Sequence, residues 1–468
     1  MNPTYTRAQY IGASTLALLA FSTVFFARTI DSLGAPSIIN FAHFVFVPVA
    51  CGFALVNTRV RDRSQIAAAW SLIGALIVFL TVNLLSALVN GTGAINVFLS
   101  FLLFAEPFLM LLAITSLPLS GDRINQLKNW VAIFALYNLL LAYFQRYIIG
   151  TENPDFIYGA FFSIAGATVS SIVSLIFAIY YFTSEKRRPL WTRVAIVVAA
   201  FWQIIMSDTK LVLGSFIIGF MLFAFSKINT KTLIYILFGV FLLLGFFWAL
   251  ENIAFFEPYA IWIDITELTS FDSEFYRAKF MAFQKVPEYY DSFMGYVVGL
   301  GPGHGVSRLG GWMMEKYSDL LDPLGATHPF LEMNTEIMTA AAGESRNVIG
   351  TAMYGPLFSW AGLWSDLGIA GVVSYGLIWL TVWKCYCLHD FSRLLVMATV
   401  TTGIFPGYLE EPGSLLFTTF VIGLWWHEQR LKSKTVADKR LIYQIPVIVT
   451  NTAEINNVRQ NEAQQNES

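Results

Sequence analysis

Charge is what this sequence has least of. Only 13% of its 468 residues are Asp, Glu, Lys or Arg, against about a quarter in soluble domains. An ordinary soluble globular protein, a coiled coil and a disordered chain all need more. Cysteine is scarce too: three residues cannot build a disulfide scaffold. The balance of 29 Lys+Arg against 31 Asp+Glu gives a net charge of -2, so the basic excess that draws a protein to nucleic acid is missing. What the chain has instead is apolar bulk: 56% hydrophobic and 16% aromatic residues. Such a chain takes lipid as its main solvent.

A hydrocarbon core of about 30 Å is crossed by about 20 apolar residues in helix. Runs of this kind predict spans over 9–27, 33–56, 65–89, 94–117, 129–149, 161–182, 194–206, 211–226, 232–250, 361–383, 394–408 and 414–427. No period-2 alternation marks a membrane barrel. The first run lacks a cleavage site of small residues and reads as a retained anchor. The expectation is an all-α polytopic membrane protein of about 12 transmembrane helices. Its regions are helices 1–9 over 1–250, one large extracytoplasmic loop over 251–360, helices 10–12 over 361–427, and a disordered cytoplasmic tail over 428–468.

Lys and Arg in short loops set orientation. With both termini inside, cytoplasmic segments collect 20 of the 29 cations. Residues 194–226 test this. One helix of 33 residues would run roughly 50 Å, and Ser207-Asp208-Thr209-Lys210 interrupts it midway. Two short helices meeting at an outer turn keep every later loop consistent. The last pair, around Gly407-Tyr408-Leu409-Glu410-Glu411-Pro412, is also short. The loop carries 14 Asp+Glu against six Lys+Arg and no cysteine. No internal repeat of the transporter kind is found.

Several residues are candidates for chemistry. Gly299-Leu300-Gly301-Pro302-Gly303-His304-Gly305 precedes Val306-Ser307-Arg308. It lacks the endings of a P-loop or a dinucleotide turn. It reads either as a tight turn or as an anion cradle in which Gly301, Gly303, His304 and Arg308 meet phosphate. Arg277 and Lys279 follow a helix start at Asp272 or Ser273. An arginine fork suits a pyrophosphate, and a surface ion pair is the plainer alternative. Ionisable residues in or at the ends of spans are costly and therefore candidates: Glu106, Arg146, Asp208, Lys210, Glu410 and Glu411, with Arg346 in the loop. Arg146 has snorkelling as its alternative, Asp208 and Lys210 have mutual pairing, and the two glutamates have solvation. Five histidines, His43, His304, His328, His389 and His427, form no metal-ligand spacing. No Gly-x-Ser-x-Gly occurs.

These pieces together resemble the bacterial O-antigen polymerase and ligase superfamily, and are most similar to its Wzy-type exopolysaccharide and capsule polymerases. Gly159-Ala160-Phe161-Phe162 resembles the family's Gly-x-Phe at a span start. Ser207-Asp208-Thr209-Lys210 resembles its polar break, and Arg277 its loop arginine. Trp364-Ser365-Asp366-Leu367-Gly368-Ile369-Ala370-Gly371 is similar to its Glu-Leu-Gly-Ile-x-Gly signature. Leu409-Glu410-Glu411-Pro412 resembles its acidic-Pro turn. Ligases carry a His-Asn pair shortly before that signature; Pro356-Leu357-Phe358-Ser359-Trp360-Ala361-Gly362 has no histidine, which favours polymerase over ligase.

The resemblance implies a GT-C-like fold in the bacterial inner membrane. The implied activity is metal-independent, inverting glycosyl transfer without a cofactor, joining repeat units carried on undecaprenyl pyrophosphate at the outer leaflet. Arg277, Lys210 and Arg308 would meet the departing pyrophosphate, and Asp208 or Glu410 would accept the hydroxyl proton. Arg308, Arg146, Arg346, Gly301, Gly303 and His304 would bind substrate. Trp312, Tyr289 and Tyr290 would stack on sugars or serve as core anchors. The implied partners are the lipid-linked oligosaccharide, the bilayer, and a chain-length regulator and flippase of the same pathway, with no nucleic acid. A transporter or flippase of lipid-linked oligosaccharide is the reading from another class.

Overall fold

The computed structural model describes residues 7–57, 62–163, 165–226, scattered positions between 233 and 253, and 270–345, 348, 352–405 and 407–444. About half of the expected span over 232–250 lies outside the described residues, and Arg346 lies outside them. All regular structure among the described residues is helical. The helices are α1 (Arg7–Ser32), α2 (His43–Asn57), α3 (Arg63–Asn90), α4 (Ala94–Ser116), α5 (Gly121–Tyr147), α6 (Gly166–Ser184), α7 (Leu190–Met206) and α8 (Lys210–Phe225). The loop adds α9 (Glu274–Lys279), α10 (Met281–Lys285), α11 (Met294–Val298), α12 (Met314–Leu321) and α13 (Met333–Glu344). Then follow α14 (Ser359–Cys385), α15 (Asp390–Thr402) and α16 (Pro412–Gln444).

Seven of the described helices are long and apolar enough to cross a membrane: α1, α2 with its leading turn Ser37–Phe41, α3, α4, α5, α6 and α14. Their outward faces carry large apolar side chains, such as Trp70, Leu84 and Leu88 on α3 and Val373 on α14, with Leu88 79% exposed. Facing water, these stripes would be unfavourable; facing hydrocarbon they need no cover. The chain is a polytopic helical membrane protein.

Local chemistry sets the helix ends. The Asp62 carboxylate accepts the Gln65 N–H at 3.0 Å at the start of α3. Gly91, at φ 62°, closes the same helix in the left-handed region. The break expected over 207–210 is present: α7 stops at Met206, Asp208 takes φ 50°, and α8 begins at Lys210. Of the expected tail, 428–444 are helical, and 445–468 lie outside the described residues. No Gly or Pro falls between Gly423 and Pro446, so nothing in the sequence halts the helix before Pro446.

Within the 1–427 unit, α4 is the most buried of the seven long apolar helices, with 83% of its apolar stretch buried. Polar side chains tie its neighbours together. Ser100 on α4 donates to Asn83 Oδ1 on α3 at 3.1 Å. Asn138 on α5 donates to Ser174 on α6 at 3.0 Å, and Gln203 on α7 donates to Ser170 at 2.6 Å. With no hydrophobic drive between helices in lipid, such bonds and close backbone approach hold a bundle. Gly219 of α8 supplies the second device, because a Cβ there would meet the Ala398 backbone of α15 at 2.6 Å. Phe21, Phe25, Phe134, Phe417 and Phe420 fill the centre between α1, α5 and α16.

The loop packs onto one end of this bundle. Phe275, Met281, Met333, Ile337, Tyr354, Phe358 and Trp364 form a second core joining α9, α10, α13 and the start of α14. A π-type turn, Leu309–Met313, leads into α12 and sets Leu309, Met313 and Tyr317 against Phe44 and Leu103.

Candidate functional site

Two structures share the loop end of the bundle: a glycine turn folded around an internal carboxylate, and beside it a cleft lined by arginines.

The glycine turn owes its shape to α14. That helix is interrupted at Gly368, which takes φ 63°. A Cβ at Gly368 would lie 2.3 Å from Val297 backbone atoms, and one at Gly299 (φ 74°) would lie 2.3 Å from the Asp366 backbone. Two backbones therefore touch with glycine on each side. Their amides interlock: Leu300 N–H donates to Ser365 O at 2.8 Å and Gly301 N–H to Asp366 O at 3.0 Å. The buried Asp366 carboxylate then accepts the Gly303 N–H (2.7 Å), the Gly305 N–H (2.9 Å) and the Ser307 hydroxyl (2.7 Å). The turn's donors close on a carboxyl group of the chain itself. Gly301 and Gly303 use their amides on Asp366. His304 is buried, with Nδ1 at 3.1 Å from Leu300 O and Nε2 at 2.8 Å from the Thr327 hydroxyl; burial lowers its pKa. None of these three residues lines the cleft.

Arg308 leaves this turn and enters the cleft. Its N–H donates to Glu410 Oε2 at 2.8 Å, and its guanidinium donates to Glu410 O at 2.8 Å and pairs with Glu411 Oε1 at 2.9 Å. Burial, with Asp366 nearby, pushes the Glu410 carboxyl up to about 8. The guanidinium lies 5.1 Å from the Trp312 ring centre, and Arg28 from the end of α1 lies 5.6 Å from the same ring. Arg28 has no carboxylate partner among the described residues. Asn40, His43, Ser163, Tyr317 and Glu411 complete the polar lining, and the space measures about 40 Å³, room for a few waters. Asn40 Oδ1 and the Tyr317 hydroxyl are buried without a partner. His43 Nδ1 lies 2.8 Å from Glu106 Oε2, both side chains being buried. The cleft thus offers an uncompensated cation, an aromatic face and unsatisfied polar atoms, a set that suits a ligand carrying both anion and hydroxyls.

Of the residues singled out in the sequence, Arg308, Glu410 and Glu411 come together here, and Glu106 bonds His43 of the lining. The rest sit elsewhere. Arg277 pairs with Glu344 at 2.7 Å and bonds the Asp272 carbonyl, half-exposed. Asp208 and Lys210 pair with each other at 3.2 Å. Arg146 closes the end of α5 by donating to Thr151 O at 2.7 Å and Glu152 O at 3.1 Å. None of these four lines the cleft. Of the aromatics, Trp312 lines it, while Tyr289 bonds Glu336 and Tyr290 packs on Trp364. Buried Lys279 donates to Gly355 O at 3.0 Å and faces the Phe358 ring at 4.9 Å.

Sequence reasoning missed Arg28, Asn40 and His43 as site members. A signal existed for one: a histidine and a glutamate, each alone in an apolar span, are the kind of pair that membrane burial forces together.

No protein-family model matches this chain, and no curated protein matches it. Fold and site define its class as a helical membrane protein with a polar, arginine-bearing cleft at one end of the bundle.

Proposed function

We propose that the protein polymerises oligosaccharide repeat units carried on undecaprenyl pyrophosphate, by glycosyl transfer at the outer leaflet of the bacterial inner membrane. In this reading the chain crosses the bilayer about twelve times with both termini inside, and the cleft opens outward. The sugar–pyrophosphate bond supplies the driving force, so no nucleotide is needed on that face.

The observation that carries the reading is Arg28 and Arg308 flanking Trp312 in a cleft that also holds unpartnered Asn40 Oδ1 and Tyr317 hydroxyl. Arginine forks meet pyrophosphate oxygens, whose charge grows as the glycosidic bond breaks. An aromatic face and spare polar atoms meet a sugar. Glu410 holds Arg308 by backbone and guanidinium together and so sets where the cation points. Arg277, Lys210, Asp208 and Arg146 have no role at the reacting atoms in this reading.

The test is done in the producing cell. Arg308→Ala and Arg28→Ala are expected to abolish long polymer and leave single lipid-linked repeat units to accumulate, with the protein still in the membrane. Arg308→Lys restores little, because the fork is lost. Arg277→Ala retains long polymer. Polymer of normal length from the Arg308 and Arg28 variants overturns the assignment.

A further inference from the structure

The cleft needs a group that removes the acceptor hydroxyl's proton, and its carboxylates are committed. Glu410 is buried behind Arg308 and accepts its N–H. Glu411 faces the cleft but pairs with the Arg308 guanidinium. Asp208 lies outside it, bound to Lys210. His43 is different. It lines the cleft from the first turn of α2, while its Nδ1 turns away onto the Glu106 carboxylate at 2.8 and 2.9 Å. Glu106 stands mid-helix on α4, directly before Pro107, and is 1% exposed. A carboxylate on Nδ1 fixes the Nδ1–H tautomer, which leaves Nε2 as the basic nitrogen. No hydrogen bond occupies Nε2 among the described residues. A buried glutamate in an apolar helix is costly unless it holds a partner, and this one holds a histidine that borders the cleft.

We propose that His43, oriented by Glu106, is the proton acceptor of the transfer reaction. This deepens the reading above and rests on it. The acceptor sugar's hydroxyl oxygen forms a bond to the anomeric carbon of the donor. The carbon–oxygen bond to the pyrophosphate breaks, and its electron pair leaves with the lipid pyrophosphate, whose charge Arg28 and Arg308 meet. The hydroxyl proton passes to His43 Nε2. The resulting imidazolium is balanced by Glu106, and the proton then leaves to solvent. A single displacement of this kind inverts the anomeric centre. His43 is the catalytic residue here and Glu106 a positioning residue.

Glu106 of α4 bonds His43, and Arg28, Arg308, Tyr317 and Glu411 line the same cleft. The experiment uses the purified full chain in detergent with undecaprenyl-pyrophosphate-linked repeat units, following bond formation. His43→Gln is expected to lower kcat by about 100-fold or more and to keep KM for the lipid-linked substrate within about threefold. Glu106→Gln is expected to lower kcat by about tenfold or more with KM again kept, and to add little to the loss in a His43→Gln/Glu106→Gln double variant, because it acts through His43. Wild-type kcat in His43→Gln, or a Glu106→Gln loss that adds in full to that of His43→Gln, overturns the proposal while leaving the polymerase reading in place. A wild-type protein that forms no glycosidic bond overturns both.

Discussion

Arg308 and Glu410 hold each other at two points, the side-chain carboxylate taking the arginine's backbone N–H and the glutamate's carbonyl taking the guanidinium, each at 2.8 Å. They are 102 residues apart in the chain. This contact joins the end of the glycine turn to the segment that leads into the last helix.

One consequence is a pH dependence of stability. Glu410 titrates near 4.5 when unburied and is pushed up to about 8 in the folded chain, chiefly by burial. Between those values the folded form keeps a proton that the unfolded form has released. Glu410 therefore contributes stability that falls as pH rises through about 4.5 to 8, with the loss complete above 8. Glu410→Gln lacks this ionisation. Melting temperatures in detergent at several pH values are expected to show wild type losing ground to Glu410→Gln across that window. A gain with rising pH contradicts the burial account.

Asp366 is the second test. Its carboxylate satisfies two backbone amides and a hydroxyl away from water. Asp366→Ala strands all three and is expected to cost about 2–5 kcal/mol. Ser307→Ala removes one hydroxyl and is expected to cost about 1 kcal/mol. Chemical denaturation in mixed micelles gives both numbers, and equal costs would mean the amides are satisfied some other way.

The sequence marked this turn and left its partner hidden. Glycine density announces a tight backbone, but the carboxylate inside it comes from 63 residues further on, and no local pattern links the two. The break at Ser207-Asp208-Thr209-Lys210 was legible because a polar tetrad in the middle of a mostly apolar 33-residue stretch has few other uses. Membrane class was legible from composition for the same reason. The convergence of Arg28 with Arg308 was not, since it is made in space by distant parts of the chain; for His43 and Glu106 the one signal was a lone ionisable residue in each of two apolar spans. Arg277 shows the converse: its position in the sequence suited a site, and the fold gives it Glu344 instead.

The backbone contact between Gly299 and Gly368 can be probed by alanine at either position. Each Cβ would fall 2.3 Å from backbone atoms, in a left-handed conformation. Loss of folded protein is expected from both. Gly325→Ala is the control: its φ of 83° is equally left-handed, but nothing lies within 4 Å of the new Cβ, so its cost is expected to stay near about 1–2 kcal/mol. Detergent-extracted yield and monodispersity in size-exclusion chromatography separate the two cases. A well-folded Gly368→Ala would show that the helix interruption is not required.

The most direct measurement is reconstitution of the purified protein in liposomes with undecaprenyl-pyrophosphate-linked repeat units and no other enzyme. The account predicts a ladder of lengthening glycans, with undecaprenyl pyrophosphate released for each bond formed, and no ladder from Arg308→Ala. Movement of the lipid-linked units between leaflets without any ladder would contradict it and make the protein a transporter.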